Sequence, residues 1–190
     1  LEQLDNWTRQ LAHASSLLRL LEAVSRSANE SKTPEEALRQ AVDLICKDID
    51  WPFGHVWVPD PHDSEVLISG DIWFVANPAL EPFREVTRGL RCKKGVGVAG
   101  TILSTRTSAR VLDLQETMLA ERYRVAQQVG IKTGFAFPVL AGSELMAVVE
   151  FFSNQDDHPS DSLMEATSQV GVQIGRVFER ERTGQQLVDA

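Results

Sequence analysis

One stretch, residues 133–152, constrains the fold more than any other. Residues 133–140 and 144–152 are apolar runs rich in β-branched and aromatic side chains, joined only by Ala141-Gly142-Ser143. A link that short between two such runs reads as a tight β-hairpin. The second run is apolar at nearly every position, the pattern of a central strand covered on both faces. Such a hairpin needs further strands at its sides and a layer above and below it. Glu150 is the odd residue in the run, sharing a face with Met146, Val148 and Phe152. A carboxylate there pairs with an arginine, lines a pocket, or reaches water near the strand end.

The rest of the chain supplies those strands and layers. Residues 4–28 read as a helix in which Leu4, Trp7, Leu11, Ala14, Leu18 and Leu21 alternate by three and four, the seam of a coiled coil or bundle. Leu17, Leu20 and Val24 widen the stripe, so part of this helix is also expected to pack on the domain. Residues 29–32 break it. Thr33-Pro34-Glu35-Glu36 then opens a second helix, with Thr33 as cap, Pro34 in the first turn and Glu36 in the capping-box position. Strands follow at 53–58 and 66–75, the latter interrupted by Gly70-Asp71. Residues 78–92 read as a short polar helix or loop, 95–104 as a glycine turn into a short helix, 109–114 as a strand and 116–129 as a helix. Ser160 caps a last helix that runs to 182, leaving 183–190 as a linker. Runs of adjacent strands between terminal helices favour an α+β antiparallel sheet over a βαβ repeat.

Composition narrows the function. The 190 residues are 43% hydrophobic and carry a net charge of −8, ordinary for a globular domain and adverse to general nucleic-acid binding. Residues 79–124 depart from the rest, holding nine of the 19 basic residues and five of the 27 acidic ones. A basic middle in an acidic chain can attract a small anion. No apolar run reaches the ~20 residues of a membrane span, and no signal peptide opens the chain. The start at Leu1 is what a segment of a longer protein would show, and the two cysteines are read as reduced thiols of a cytoplasmic protein. The triplets at Asn6 and Asn29 are read as chance matches to the glycosylation pattern.

Motif chemistry is sparse. Gly95-Val96-Gly97-Val98-Ala99-Gly100 has the letters of the dinucleotide fingerprint, but basic and polar residues precede it instead of a buried strand. Its glycines are better read as a sharp turn into a helix. There is no P-loop and no nucleophile elbow. His13, His55, His62 and His158 are scattered without zinc-ligand spacing, and Cys46 and Cys92 are too few for a disulfide scaffold or a four-cysteine metal site. No metal site and no catalytic residues are expected.

The hairpin, with Gly130-Ile131-Lys132-Thr133-Gly134-Phe135-Ala136-Phe137-Pro138-Val139 and Val148-Val149-Glu150-Phe151-Phe152-Ser153, resembles the last two strands of GAF domains. Residues 95–114 resemble that family's glycine turn, short helix and strand. Residues 171–182 resemble its closing helix, which leads into an output module. The wording is similar to GAF domains of bacterial sensor kinases and related signalling proteins, over about residues 20–182. The resemblance implies an antiparallel sheet with terminal helices on one face and short helices and loops roofing a small-molecule pocket on the other. It divides the chain into an N-terminal signalling and dimerisation helix (1–31), a GAF domain (32–182) and the linker.

What the resemblance implies about ligands differs residue by residue. Bilin-binding relatives carry a cysteine followed by histidine where this chain has Glu121-Arg122, and Trp73 stands where a second-cysteine motif would place its thiol. Both argue against a covalent bilin. Of the Asn-Lys-Phe-Asp-Glu set of cyclic-nucleotide-binding relatives, Asn154 matches, the lysine and phenylalanine are missing, and Asp157 or Asp161 and Glu165 stand for the acids. The expected pocket lies under residues 73–130. Trp73, Phe83, Tyr123, Phe135 and Phe137 would stack on a flat ligand, and Arg88, Arg91 or Arg122 would neutralise an anionic group. Cys92, Asp113 and Thr133 complete the expected lining.

Three functions follow as expectations. The first is a small-molecule sensor, its ligand a cyclic nucleotide or another small compound, that relays binding through the terminal helices of a homodimer to an output domain of the same chain. The second is a ligand-free dimerisation and relay module. The third is a thiol-dependent reductase using Cys46 and Cys92.

Overall fold

The computed structural model describes residues 2–189, with side chains from residue 3 onward. Leu1 and Ala190, the outer ends of the expected 1–31 and 183–190 segments, lie outside the described residues. In chain order the elements are α1 (Glu2–Glu30), α2 (Pro34–Ile49), β1 (Phe53–Asp60) and β2 (Asp63–Val75). A single 3-10 turn (Pro78–Leu80) leads to α3 (Glu81–Arg88), β3 (Arg91–Lys93), α4 (Gly97–Thr105) and β4 (Ala109–Val111). The chain ends with α5 (Leu114–Thr117), α6 (Ala120–Gln128), β5 (Thr133–Ala141), β6 (Glu144–Ser153) and α7 (Asp161–Val188).

The six strands form one antiparallel sheet in the order β3-β2-β1-β6-β5-β4, with the expected hairpin near its centre. Strand periodicity splits the core in two. On one face α1, α2 and α7 pack over Val56, Phe135, Phe137, Val149 and Phe151. On the other, α3, α4 and α6 roof Phe53, Trp57, Leu67, Val148 and Phe152. The layered arrangement is the α+β one read from the sequence.

Local chemistry explains the boundaries. The Thr33 hydroxyl accepts from the Glu36 N–H at 3.2 Å, and Glu36 Oε2 reaches back to the Lys32 N–H at 2.9 Å, closing the start of α2. Ser160 does the same for α7 by accepting from the Leu163 N–H at 3.1 Å. Gly95 and Gly97 both take positive φ, which turns the chain into α4 and accounts for the fingerprint-like spacing.

Three expectations are corrected. The segment read as one helix at 116–129 is two, α5 and α6, separated at Met118, which is extended. The last helix, expected to end at 182, runs on to Val188, because nothing between Arg182 and there breaks it: Gly184 alone is too weak a breaker. The interruption at Gly70-Asp71 is a bulge and not a break. His55 pairs with Trp73 and Trp57 with Ser69, so β2 carries extra residues between them.

Helix α7 also closes a sheet edge. Strand β4 covers β5 only from Gly134 to Ala136. Beyond it, Gly171 and Gly175 lie against the carbonyl oxygens of Pro138 and Leu140, so close that a Cβ on either would overlap its carbonyl. Two glycines one turn apart let the helix backbone shield an edge that would otherwise be free to pair.

Candidate functional site: a buried charged cluster beneath the roof

Register across the sheet assembles the site. His55 on β1 lies opposite Trp73 on β2 and opposite Glu150 on β6, and Glu150 lies opposite Ala136 on β5. The row Trp73–His55–Glu150–Ala136 therefore points to the roof side. The His55 ring stacks on Trp73 at 3.9 Å between centroids, and its Nδ1 lies 3.0 Å from Glu150 Oε1. The β2 bulge brings the Ser69 hydroxyl to 2.9 Å from His55 Nε2.

The roof supplies the counter-charge. Arg122 of α6 binds Glu150 with both terminal nitrogens, Nη1 to Oε2 at 3.1 Å and Nη2 to Oε1. Its Nε donates to Thr87 Oγ1 of α3 at 2.9 Å, and that hydroxyl donates to the Phe83 carbonyl at 2.7 Å. The guanidinium carbon lies 4.7 Å from the Phe83 ring centre, 4.9 Å from Phe152 and 5.4 Å from Trp57, within range of cation–π attraction at each. His55 and Glu150 are 0% exposed and Arg122 3%.

Burial and charge set the protonation states. Burial by itself would raise the Glu150 carboxyl, but the Arg122 charge and the hydrogen bonds from His55 and Arg122 outweigh it and hold the group at about 2. Burial lowers His55, and the nearby carboxylate does not fully restore it, so the ring is neutral. Nδ1–H then donates to Glu150 and Nε2 accepts from Ser69. Two donors beside the cluster, the Trp57 and Trp73 indole N–H groups, are buried without an acceptor, as is Arg84 Nε.

Of the residues expected to line a pocket, Trp73, Phe83 and Arg122 meet here. Tyr123 is half-buried against the same layer, and Cys92 is buried in it opposite Leu67. Phe135 and Phe137 are corrected: odd-numbered positions of β5 face the terminal helices, where they pack with Trp51 and Phe151. Thr133 shares their parity, is buried at the start of β5, and directs its hydroxyl at the Val111 carbonyl, 3.5 Å away. Asp113 caps α5, accepting from the Gln115 and Glu116 N–H groups at 2.9 and 3.1 Å. None of the three expected anion-binding arginines is free. Arg88 pairs with Glu85 at 3.1 Å, Arg91 pairs with Asp60, and Arg122 is neutralised by Glu150.

His55, Trp57, Ser69, Thr87 and Phe152 belong to the cluster and were not expected there. A histidine at an alternate position of an apolar strand, and the shared strand face of Phe152 and Glu150, were the legible signals for them. Cys46 and Cys92 sit on opposite faces of the sheet, both buried. Burial pushes both thiols up, Cys92 to about 12, the reverse of what a reactive thiolate needs. Among the described residues, no group of three or more His, Cys, Asp or Glu side chains could hold a metal, and no helix is long and apolar enough to cross a membrane.

A family model described as GAF domain matches residues 31–179. No curated protein matches the sequence. The fold is similar to the GAF domain of a phosphoenolpyruvate-protein phosphotransferase from Coxiella burnetii: TM-score 0.70, 15% identity, 91% of this chain and 98% of that one covered. It is also similar to free methionine-R-sulfoxide reductase from Neisseria meningitidis: TM-score 0.72, 12% identity, coverage 90% and 93%. A third similar structure is the GAF domain of the phosphotransferase from Acinetobacter, at TM-score 0.66, 12% identity and coverage of 90% and 97%. At these identities the likeness is one of fold.

Proposed function

The chain belongs to the GAF domain family, and on that footing we propose that it is a small-molecule-sensing regulatory input domain of a bacterial signalling protein, acting in the cytoplasm. The observation that carries the reading is the Arg122–Glu150–His55 cluster. A charged network is buried between roof and sheet, where the family holds its ligands, and one short roof helix supplies its cation. A compound that competes for Glu150 or Arg122 changes how α6 sits on the sheet. The change reaches β5 and β6, on which α7 rests, and from there an output module of the same chain. A thermal-shift and calorimetric screen of cationic, neutral and anionic metabolites tests this, with cyclic mononucleotides in the anionic arm. Saturable binding abolished by Glu150→Gln supports it. A flat response from every class removes the sensing role.

A second reading, the ligand-free dimerisation and relay module, is favoured by two other observations. Phe53, Trp57, Phe83 and Phe152 fill the space under the roof in full burial. Helix α1 divides its apolar residues: Leu17, Leu20, Val24 and Ala28 are buried in the domain, whereas Leu4, Trp7, Leu11 and Leu18 are exposed, Trp7 and Leu11 by 66% each. An exposed stripe of that spacing suits a second copy of the same helix in a parallel homodimer. A chain beginning at residue 32 would strip Leu17–Ala28 from the core, so Leu4, Leu11 and Leu18→Glu is the cleaner test. Sedimentation that still reports a dimer for the triple variant excludes α1 as the interface. The thiol-reductase reading has no comparable support, since the two thiols are buried on opposite faces.

A further inference from the structure

Arg122 sits in its surroundings as a bound cation would. Three aromatic rings pack around the guanidinium and a carboxylate receives both of its ends, the combination that recognises organic cations. The two halves of the contact belong to different bodies. Glu150, His55, Trp57 and Phe152 are on the sheet, while Arg122 rides on α6, nine residues long. That helix is bounded by the extended Met118 on one side and Gly130, at φ 78°, on the other.

The indole donors add an independent observation. Trp57 and Trp73 flank His55 on either side, edge-on at 4.9 Å and stacked at 3.9 Å. Both N–H groups are buried without an acceptor, and Trp57 is 0% exposed. A buried donor without an acceptor is uncommon and costly in a native structure. An ion pair kept only to hold the roof down would not need two of them at its side.

We infer that this cage is a ligand site whose resting occupant is Arg122, and that its ligand is a small guanidinium compound that also carries a hydrogen-bond acceptor. The ligand's cation takes the place of Arg122 on Glu150, and its acceptor meets an indole N–H. Arg122 leaves with α6 for solvent. At the carboxylate the exchange is like for like, so no buried charge is stranded. The gain comes from the donors that lack acceptors, and the fraction of molecules with the roof open scales the apparent affinity. An anionic ligand meets the Glu150 carboxylate and is repelled.

The inference rests on the sensing reading, and the test separates the two. The probes for the wild-type chain are L-arginine, its neutral isostere L-citrulline, agmatine, which keeps the cation without the acceptor, and 3′,5′-cyclic AMP. Calorimetry and tryptophan fluorescence report binding. L-arginine is expected to bind saturably, agmatine about tenfold more weakly for one lost hydrogen bond, and citrulline and the nucleotide not at all. Since Arg122 and the ligand share Glu150, the carboxylate is read where Arg122 is absent: adding Glu150→Gln to Arg122→Ala is expected to weaken guanidinium binding by about 30-fold or more. Arg122→Ala, with the cage emptied, is expected to regain thermal stability in millimolar methylguanidine. The arginine–citrulline comparison needs no variant, so it stands even if either substitution unfolds the chain. Citrulline or cyclic AMP binding as tightly as arginine, or rescue of Arg122→Ala by methylguanidine that Glu150→Gln leaves unchanged, overturns the cationic class and leaves sensing intact. Rescue of Arg122→Ala without any binding to wild type overturns the exchange. No response in wild type or variant to any probe overturns the site and, with the wider screen also flat, the sensing role.

Discussion

Replacing Arg122 by methionine would leave the Glu150 carboxylate wholly buried with only the neutral His55 N–H as a partner. Breaking one side of a buried ion pair costs about 3–5 kcal/mol. The titration of Glu150 points to the same size. A carboxyl lowered from 4.5 to about 2 on folding corresponds to about 3 kcal/mol of stability. Its folded value lies below its unfolded one, so that stability is fully present above about pH 4.5 and is lost as the pH falls toward 2. Glu150→Leu strands the Arg122 guanidinium in the same way. The pair Arg122→Met with Glu150→Leu removes both charges and keeps the volume, leaving the His55 N–H without its acceptor at a cost of about 1–3 kcal/mol. The double variant should therefore be more stable than either single one, with a coupling energy of about 3 kcal/mol or more. Urea unfolding near pH 7, followed by tryptophan fluorescence, measures all four corners. Domains of this kind have about 5–15 kcal/mol in total, so a single variant that fails to fold beside a folded double variant has the same sign. Two single effects that add to within about 0.5 kcal/mol, or a wild-type stability unchanged from pH 5 to 3, would refute the coupling.

Other consequences follow from single positions. Gly175→Ala drives a methyl group into the Leu140 carbonyl and should cost about 1–3 kcal/mol in a thermal melt. Gly184→Ala, with open space around it in the same helix, should stabilise by about 0.5–1 kcal/mol. Thr33→Ala removes the cap of α2 and should cost about 1 kcal/mol in urea unfolding. Cys46 and Cys92 should resist a disulfide reagent until the protein unfolds, and rapid labelling of either in the native state would contradict their burial.

Much of the fold was legible because it rests on short-range rules. The Thr33 cap, the tight turn at Gly142 and the apolar run of β6 each express their structure within a few neighbouring residues. Glu150 was visible as an anomaly for the same reason, a charge inside a run that has no place for one. The helix break at Met118 was less visible, since a single unsatisfied turn competes with a continuous helical pattern. The C-terminal end of α7 was misjudged because a charged, polar helix outside the core shows little periodicity.

The sequence by itself determined the layers, the order of the elements and the presence of one carboxylate inside an apolar strand, because period and turn chemistry are local. Only the tertiary structure decided what that carboxylate does. Strand register, which pairs residues 95 positions apart, set His55 beside Glu150. The packing of a nine-residue roof helix then placed Arg122 on it. The same long-range packing turned Phe135 and Phe137 away from the roof and split the stripe of α1 into a buried half and an exposed one. A basic middle in an acidic chain suggested a site for anions. The fold instead pairs Arg88 and Arg91 with Glu85 and Asp60 at the surface and buries Arg122 on Glu150, where a guanidinium is stable only because a carboxylate meets it.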